Sequence, residues 1–418
     1  MIPPAPTHPA LRALTEARWS VDQFRDHLSS QGTPLVERLT ADEVAVTFVH
    51  ETDQAGEIDQ ASGADREVRL RELVGSGPAG DRVLRPVDGT PFRALTLRMR
   101  SDLRLSYAFQ IDRPGGAPEL VPDAFNPPPP SLDQRLTGSV LTLPDAAELP
   151  VDPHRAGETG QHGRVAPHLD EHVFRSEILG NERRVWVSLP PGWSTAGPPS
   201  PSVIVFDGTA GHTAPAVRDT LVAAGEVRDV VVVLVDQLGR RDVELTADPG
   251  FARMLAEELV PWLRTAYGVS AEARDLALSG SSFGGLCAAW TALQHPDVFG
   301  NALIQSPSCW FHPSLPSLVR PGGTGEAEVV GRAVPTPSLI EAFAAADPVP
   351  VRIFHEVGRL EHGPPPAQIR QVFGNRWLHD VLRLKGYDTV YREYAGGHDA
   401  TWWRATWADG LRWLFPAD

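Results

Sequence analysis

The segment Leu276-Ala277-Leu278-Ser279-Gly280-Ser281-Ser282-Phe283-Gly284-Gly285-Leu286 constrains this chain more than any other. An apolar run reaches a Gly-x-Ser-x-Gly turn, and a small-residue helical stretch follows. A serine on a tight strand-to-helix turn adopts strained backbone geometry. The residues two before and two after it must then be nearly side-chain-free, a condition met by Gly280 and Gly284. Gly285 lets the following helix pack close to the sheet. The helix N-terminus behind Ser282 offers N–H groups to a developing oxyanion. The five-residue pattern is weak alone; the strand before it and the helix after it give it weight.

The surrounding pattern fits such a turn. From His172, two runs read as a hairpin joined through Gly180-Asn181, namely Val173–Ile178 and Arg184–Leu189. Buried-strand runs follow at Ser202–Phe206, Val230–Val235, Leu276–Ser279, Asn301–Gln305, Val351–His355 and Val390–Tyr394. Helical stretches such as Phe251–Tyr267 lie between most of them. Continuous β-branched runs alternating with helices predict a mostly parallel sheet covered on both faces, with catalytic residues at the C-terminal strand ends. The fold class expected here is an α/β-hydrolase domain.

Upstream the period differs. Residues from about Pro9 to Leu39 read as helical, with Leu11, Leu14, Trp19, Val21, Phe24 and Leu28 on one face. From Glu43, short alternating strands at Val44–Val49, Glu67–Arg71, Phe92–Met99 and Leu105–Ile111 predict an all-β sandwich. Asn126-Pro127-Pro128-Pro129-Pro130 and the polar stretch beyond it read as a stiff linker. The expected division is an N-terminal helix plus β domain over 1–150, a linker over 151–170 and a catalytic domain over 171–418.

Formal net charge is −15 over 418 residues, which excludes general affinity for nucleic acid or anionic membranes but leaves room for a local basic pocket. Cys287 and Cys309 read as two free buried thiols. Met1–Pro6 has no charged region leading into an apolar one, and no apolar stretch approaches the ~18 residues of a membrane span. The expected compartment is the cytoplasm.

A serine hydroxyl needs a base to take its proton. His398, in Ala395-Gly396-Gly397-His398-Asp399, follows the last predicted strand and completes the chain order nucleophile, acid, histidine. Asp399 beside it reads as a loop pin. The acid belongs after the penultimate strand, where Glu356 and Glu361 both stand. Glu361, on the loop beyond Gly358, is preferred, and Glu356 stays open. For the oxyanion hole, Phe283 supplies one backbone N–H. The turn Asp207-Gly208-Thr209 supplies the other, through Thr209 or Gly208. The histidines form no spaced metal-ligand motif, and no Walker loop or dinucleotide fingerprint occurs.

These residues carry a resemblance. The chain resembles the enterochelin (enterobactin) esterases of the esterase D-like α/β-hydrolase group. The matching pieces are Gly280–Leu286, Gln305-Ser306-Pro307-Ser308-Cys309-Trp310, Glu356–Glu361 and Gly396–Arg404, with Phe206-Asp207-Gly208 and Arg241–Leu245 upstream. Val46-Thr47-Phe48, Leu105–Phe109 and Asp123–Pro127 resemble that family's immunoglobulin-like N-terminal domain. The resemblance implies a serine esterase that opens the trilactone of ferric catecholate siderophores in the cytoplasm and releases iron. It implies Glu361 as acid, and no cofactor of the protein's own, since iron enters only within the substrate. The partner would be a small-molecule siderophore, with no nucleic acid and no membrane. Arg241, Arg359 and Arg404 are then candidates for charge-assisted bonds to catecholates, and Trp310 and Trp403 for ring stacking. The family's asparagine after the Glu-Leu pair is replaced by Asp248, an extra carboxylate on the anionic ligand's side. A feruloyl or carbohydrate ester hydrolase with the same triad, and a non-catalytic siderophore-binding protein, are the competing readings.

Overall fold

The computed structural model describes residues 7–52, 67–72, 82–112, 117–127, 138–149, 168–194, 196–209, 212–312, 338–361 and 367–417. The proline run from Pro128 and most of the expected linker 151–170 lie outside these residues. The chain forms two compact units, Met1–Glu148 with Ala395–Trp402, and Leu149–Tyr394 with Trp403–Asp418. Chain order alone would have placed Ala395–Trp402 in the second unit.

The first unit opens with two helices, α1 (Pro9–Thr15) and α2 (Val21–Gln31), where one long helix was expected. The break has local causes. Ala17 adopts a positive φ of 54°, and Ser20 starts α2 with a full capping box against Gln23. Gly32, at φ 77°, ends α2, so Leu35–Arg38 leaves as strand β1. The remaining strands are β2 (Glu43–Glu51), β3 (Val68–Glu72), β4 (Arg85–Pro86), β5 (Phe92–Arg100), β6 (Arg104–Ile111), β7 (Glu119–Val121) and β8 (Ser139–Thr142). They form two antiparallel sheets, one ordered β1-β2-β5-β4 and one in which β6 pairs β3, β7 and β8. The sheets meet through edge-to-face packing of Phe48 on Tyr107, with ring centroids 5.1 Å apart. Asp123 locks the crossing, accepting from the Tyr107 and Thr33 hydroxyls at 2.8 Å each.

The second unit contains β9 (Asp170–Ser176), β10 (Asn181–Ser188), β11 (Ser202–Val205), α3 (Ala214–Ala223), β12 (Val231–Val235), α4 (Arg241–Glu244) and α5 (Pro249–Arg253). After them come α6 (Val260–Tyr267), β13 (Leu276–Ser281), α7 (Phe283–Gln294), β14 (Asn301–Gln305) and α8 (Ser338–Ala345). β15 (Arg352–Gly358), α9 (Ala367–Leu384), β16 (Thr389–Tyr394) and α10 (Ala400–Leu414) complete the chain. The eight strands run β9-β10-β12-β11-β13-β14-β15-β16 across one sheet. The β9–β10 hairpin and the β10–β12 pair are antiparallel; every other neighbouring pair is parallel. This is the α/β-hydrolase sheet order. β12 shows why it holds: Val231 to Val235 are all fully buried, as a strand covered on both faces requires.

The expected helix Phe251–Tyr267 is interrupted by a π-helical stretch at Met254–Leu259, where the Val260 N–H bonds the Leu255 carbonyl. Pro261 has no N–H to offer the α pattern, so a widened turn ahead of it is a natural accommodation.

α4 is too short to hold itself in place. Its last residue, Glu244, receives the Arg183 guanidinium of β10 in two bonds of 2.8 and 2.9 Å, with both side chains buried. Removing Arg183 would leave the buried Glu244 charge with only the exposed Arg240 guanidinium, 3.5 Å away, against it. Arg183→Met is therefore expected to cost about 3–5 kcal/mol, read from urea unfolding of the full chain.

Candidate active site

Ser282 joins β13 to α7 at φ 59° and ψ −120°, a conformation that L residues adopt only under constraint. Two backbone bonds supply the constraint. The Ser282 N–H donates to the Gln305 carbonyl at 3.0 Å, and the Ser308 N–H donates to the Ser282 carbonyl at 3.0 Å. The Ser282 hydroxyl lies 3.2 Å from the Ser308 hydroxyl. The glycines divide the work unequally. A Cβ on Gly280 would meet the Gly284 backbone at 2.6 Å, and one on Gly285 would press on Pro307 at 3.1 Å. At Gly284 the nearest atom would be 3.6 Å away, an ordinary contact. The close approach thus demands glycine at 280, whereas position 284 has room for a methyl group.

Of the two expected oxyanion donors in the turn after β11, the Gly208 N–H is committed to the Val235 carbonyl at 3.0 Å. A Cβ there would lie 2.5 Å from the Val235 nitrogen, so Gly208 is required by contact with β12. Thr209, half-buried, remains the candidate in that turn. Phe283 is the first residue of α7, so its N–H has no helical acceptor four residues back.

Arg241 is bound at the elbow. Its Nε donates to both carboxylate oxygens of Asp207 at 2.8 and 3.0 Å, and Nη2 reaches the Ser281 carbonyl at 3.4 Å. Its guanidinium lies 5.5 Å from the Phe283 ring centre, and Phe283 packs 5.8 Å from Trp310. Arg359 is exposed on the loop after β15, its N–H donating to the Tyr394 carbonyl. Arg404 is buried on α10. Trp403 gives its indole N–H to the Ser306 hydroxyl at 3.1 Å, which ties it to the neighbourhood of Glu361. Asp248 caps α5, accepting from the Phe251 N–H at 2.6 Å, so its carboxylate has a helix-terminal task.

The two candidate acids sit in different surroundings. Glu361 is buried, and one oxygen accepts from the Ser306 hydroxyl at 2.5 Å and the Gly358 N–H at 2.8 Å, with the Tyr394 hydroxyl 3.4 Å away. Glu356 is buried on β15, its Oε1 taking bonds from Gln305 at 2.6 Å and Thr406 at 2.5 Å. Burial outweighs these bonds and pushes its carboxyl up to about 7. Next to it, burial lowers His355 to about 4, its ring bonded to Asn375. Ser306, at φ 44°, and Ser308 were not singled out as site residues from sequence. The signal was the Gln305–Trp310 segment immediately after β14.

His398 follows β16 by a short glycine-rich turn and is half-buried within the first compact unit. Cys287 and Cys309 are free and buried, and burial pushes the Cys287 thiol up to about 12. Among the described residues no group of three or more His, Cys, Asp or Glu could hold a metal ion. No described helix is long and apolar enough to cross a membrane.

A strained serine between β13 and α7 of this sheet defines an α/β-hydrolase-like protein. The putative esterase family model matches residues 176–414, more than half of the chain, and the chain belongs to that family. It is similar to the iron(III) enterobactin esterase of Dickeya dadantii, at 31% identity over 283 residues. That match covers 65% of this chain and 62% of the relative, less than two thirds of the relative's length. The iron(III) enterobactin esterase of Escherichia coli O6:H1 is 27% identical over 398 residues, covering 93% of this chain and 89% of that one. Among solved structures, the ferric enterobactin esterase of Salmonella typhimurium superposes with a TM-score of 0.72 at 22% identity, over 93% of this chain and 98% of that one. The Shigella flexneri enterobactin esterase, solved in the presence of enterobactin, gives 0.70 at 23% identity, over 92% and 97%. These two likenesses show a shared fold.

Two outcomes follow from this geometry. Gly280→Ala should lose activity and folded yield, while Gly284→Ala keeps its melting temperature within a few degrees, as thermal unfolding would show. The Glu356 carboxyl titrates higher folded than unfolded, so the stability it confers is complete below about pH 4.5 and lost as pH rises through about 7. Glu356→Gln should flatten that decline in stability measured against pH.

Proposed function

We propose that this chain is a serine carboxylic-ester hydrolase that opens the lactone esters of ferric catecholate siderophores of the enterobactin type, in the cytoplasm. The observation that carries the chemistry is Ser282, held at positive φ at the head of α7. The substrate class is drawn from relatives named iron(III) enterobactin esterase, one of them aligned over 93% of this chain.

In this reading His398 removes the Ser282 proton as the Oγ attacks the lactone carbonyl carbon. Glu361 orients and supports the imidazolium that forms. The Phe283 and Thr209 N–H groups receive the oxyanion. Collapse breaks the ester C–O bond, and the leaving alkoxide takes the proton from His398. Water, deprotonated by the same histidine, then hydrolyses the acyl-enzyme and regenerates Ser282. Each cycle linearises or shortens the siderophore, and iron travels as part of the substrate.

Glu361 suits the acid's task better than Glu356. It sits on a loop after β15 and is held by donors that favour its charged form, whereas the surroundings of Glu356 favour the neutral one. Near the elbow, Arg241 and Trp310 offer a cation and an aromatic face suited to catecholate rings, with Arg359, Arg404 and Trp403 as further contacts. At a net charge of −15, attraction for an anionic ligand must be local and sensitive to salt. The division 1–150, 151–170 and 171–418 goes with this reading, and the paired antiparallel sheets support an immunoglobulin-like first domain.

The test is mass spectrometry of products from a ferric catecholate trilactone. Wild-type protein should yield linear and monomeric acyl-serines, and Ser282→Ala should reduce the rate by about 10³-fold or more. Intact trilactone after prolonged incubation, with simple aryl esters turned over normally, would overturn the substrate reading. Full activity in Ser282→Ala would overturn the nucleophile.

A further inference from the structure

The segment that follows β16 is tied to β6 of the first unit, and the ties surround His398. We infer that Asp399 and Ser106 are positioning residues for His398, a role that rests on His398 being the base proposed above. Asp399 is its chain neighbour. One Asp399 oxygen accepts from the Ser106 N–H at 2.5 Å; the other accepts from the Ser106 hydroxyl at 2.9 Å and the Thr401 N–H at 2.8 Å. The Ser106 and Thr401 hydroxyls lie 2.7 Å apart. All three residues are no more than 3% exposed.

The ends of the segment are held as well, both at Arg104. The Arg104 N–H donates to the Ala395 carbonyl at 3.2 Å, and the Arg104 carbonyl accepts the Trp402 indole N–H at 2.8 Å. The Arg104 guanidinium lies over the Trp402 ring at 5.4 Å. Gly396 lets Trp402 lie against the turn, since a Cβ there would fall 2.0 Å from the indole nitrogen.

A loop needs no buried carboxylate merely to close. Burying one is costly unless donors satisfy it, and here two of the three donors come from a strand 293 residues away in the chain. The arrangement fixes the backbone immediately beside the imidazole, which is where small displacements reach a proton-transfer step. Ser106 and Asp399 therefore contribute to the chemistry without supplying a reacting atom.

The test is steady-state kinetics of the full chain on an aryl ester, with Asp399→Asn and Ser106→Ala made alone and in a His398→Ala background. Each single substitution should lower kcat by about 10- to 100-fold with KM within about twofold. In the His398→Ala background each should cause no further loss, because the residue acts through the histidine. Wild-type kcat in both single variants, or equal losses in both backgrounds, would overturn the inference. His398→Ala with full activity would instead overturn the base reading and this inference together. Thermal unfolding checks each variant. Should Ser106→Ala fail to fold, Ser106→Thr and Thr401→Val test the same clasp, and a fall in kcat at unchanged melting temperature supports it.

Discussion

The contact between the end of β13 and the first turn of α7 governs the geometry of the candidate site. Gly280 and Gly284 touch backbone to backbone, and that closeness forces Ser282 into positive φ. Such a residue carries about 1–3 kcal/mol of strain, which persists only where surroundings over-determine it. Here the Gln305 carbonyl and the Ser308 N–H grip Ser282 from both sides, and both belong to the end of β14 and the turn after it. The neighbouring strand thus holds the candidate nucleophile, and the same turn includes Ser306, which bonds Glu361. One distortion in the elbow would be felt at the acid candidate.

A second set of forces arranges charge around this contact. Arg241 bridges the turn after β11 to the end of β13 through Asp207 and Ser281. α4, which carries Arg241, is anchored from below by Glu244 on Arg183. A half-buried arginine with its Nε spent on Asp207 has few rotamers left open to it. The anchoring that stabilises the short helix therefore also restrains Arg241 beside the elbow.

Much of this was legible in the sequence because it is local. The elbow, the hairpin at Gly180 and the valine run of β12 all write their patterns within a few residues. The failures are non-local or turn on one overlooked local signal. The predicted Pro9–Leu39 helix missed the Ser20–Gln23 capping box and the Gly32 stop, although both stand in the sequence. Nothing local tells that the Gly208 N–H answers to β12, whereas the Asp248 cap was signalled locally by Pro249 at the first helical position. Least of all does chain order reveal that Ala395–Trp402 is held by β6, since the partners lie nearly three hundred residues apart.

The two glutamates show why position along a strand decides chemistry. Glu356 lies within β15, where its carboxylate meets Gln305 and Thr406 in a dry interior that favours the neutral acid. Glu361 lies beyond the strand, where a backbone N–H and a hydroxyl point at it and favour the charge. A triad acid must stay ionised while its histidine becomes positive. A carboxyl that is half protonated near neutrality would supply that charge only part of the time. The fold therefore separates two chemically similar side chains five residues apart, placing one within a strand and the other on the loop beyond it, with different donors around each.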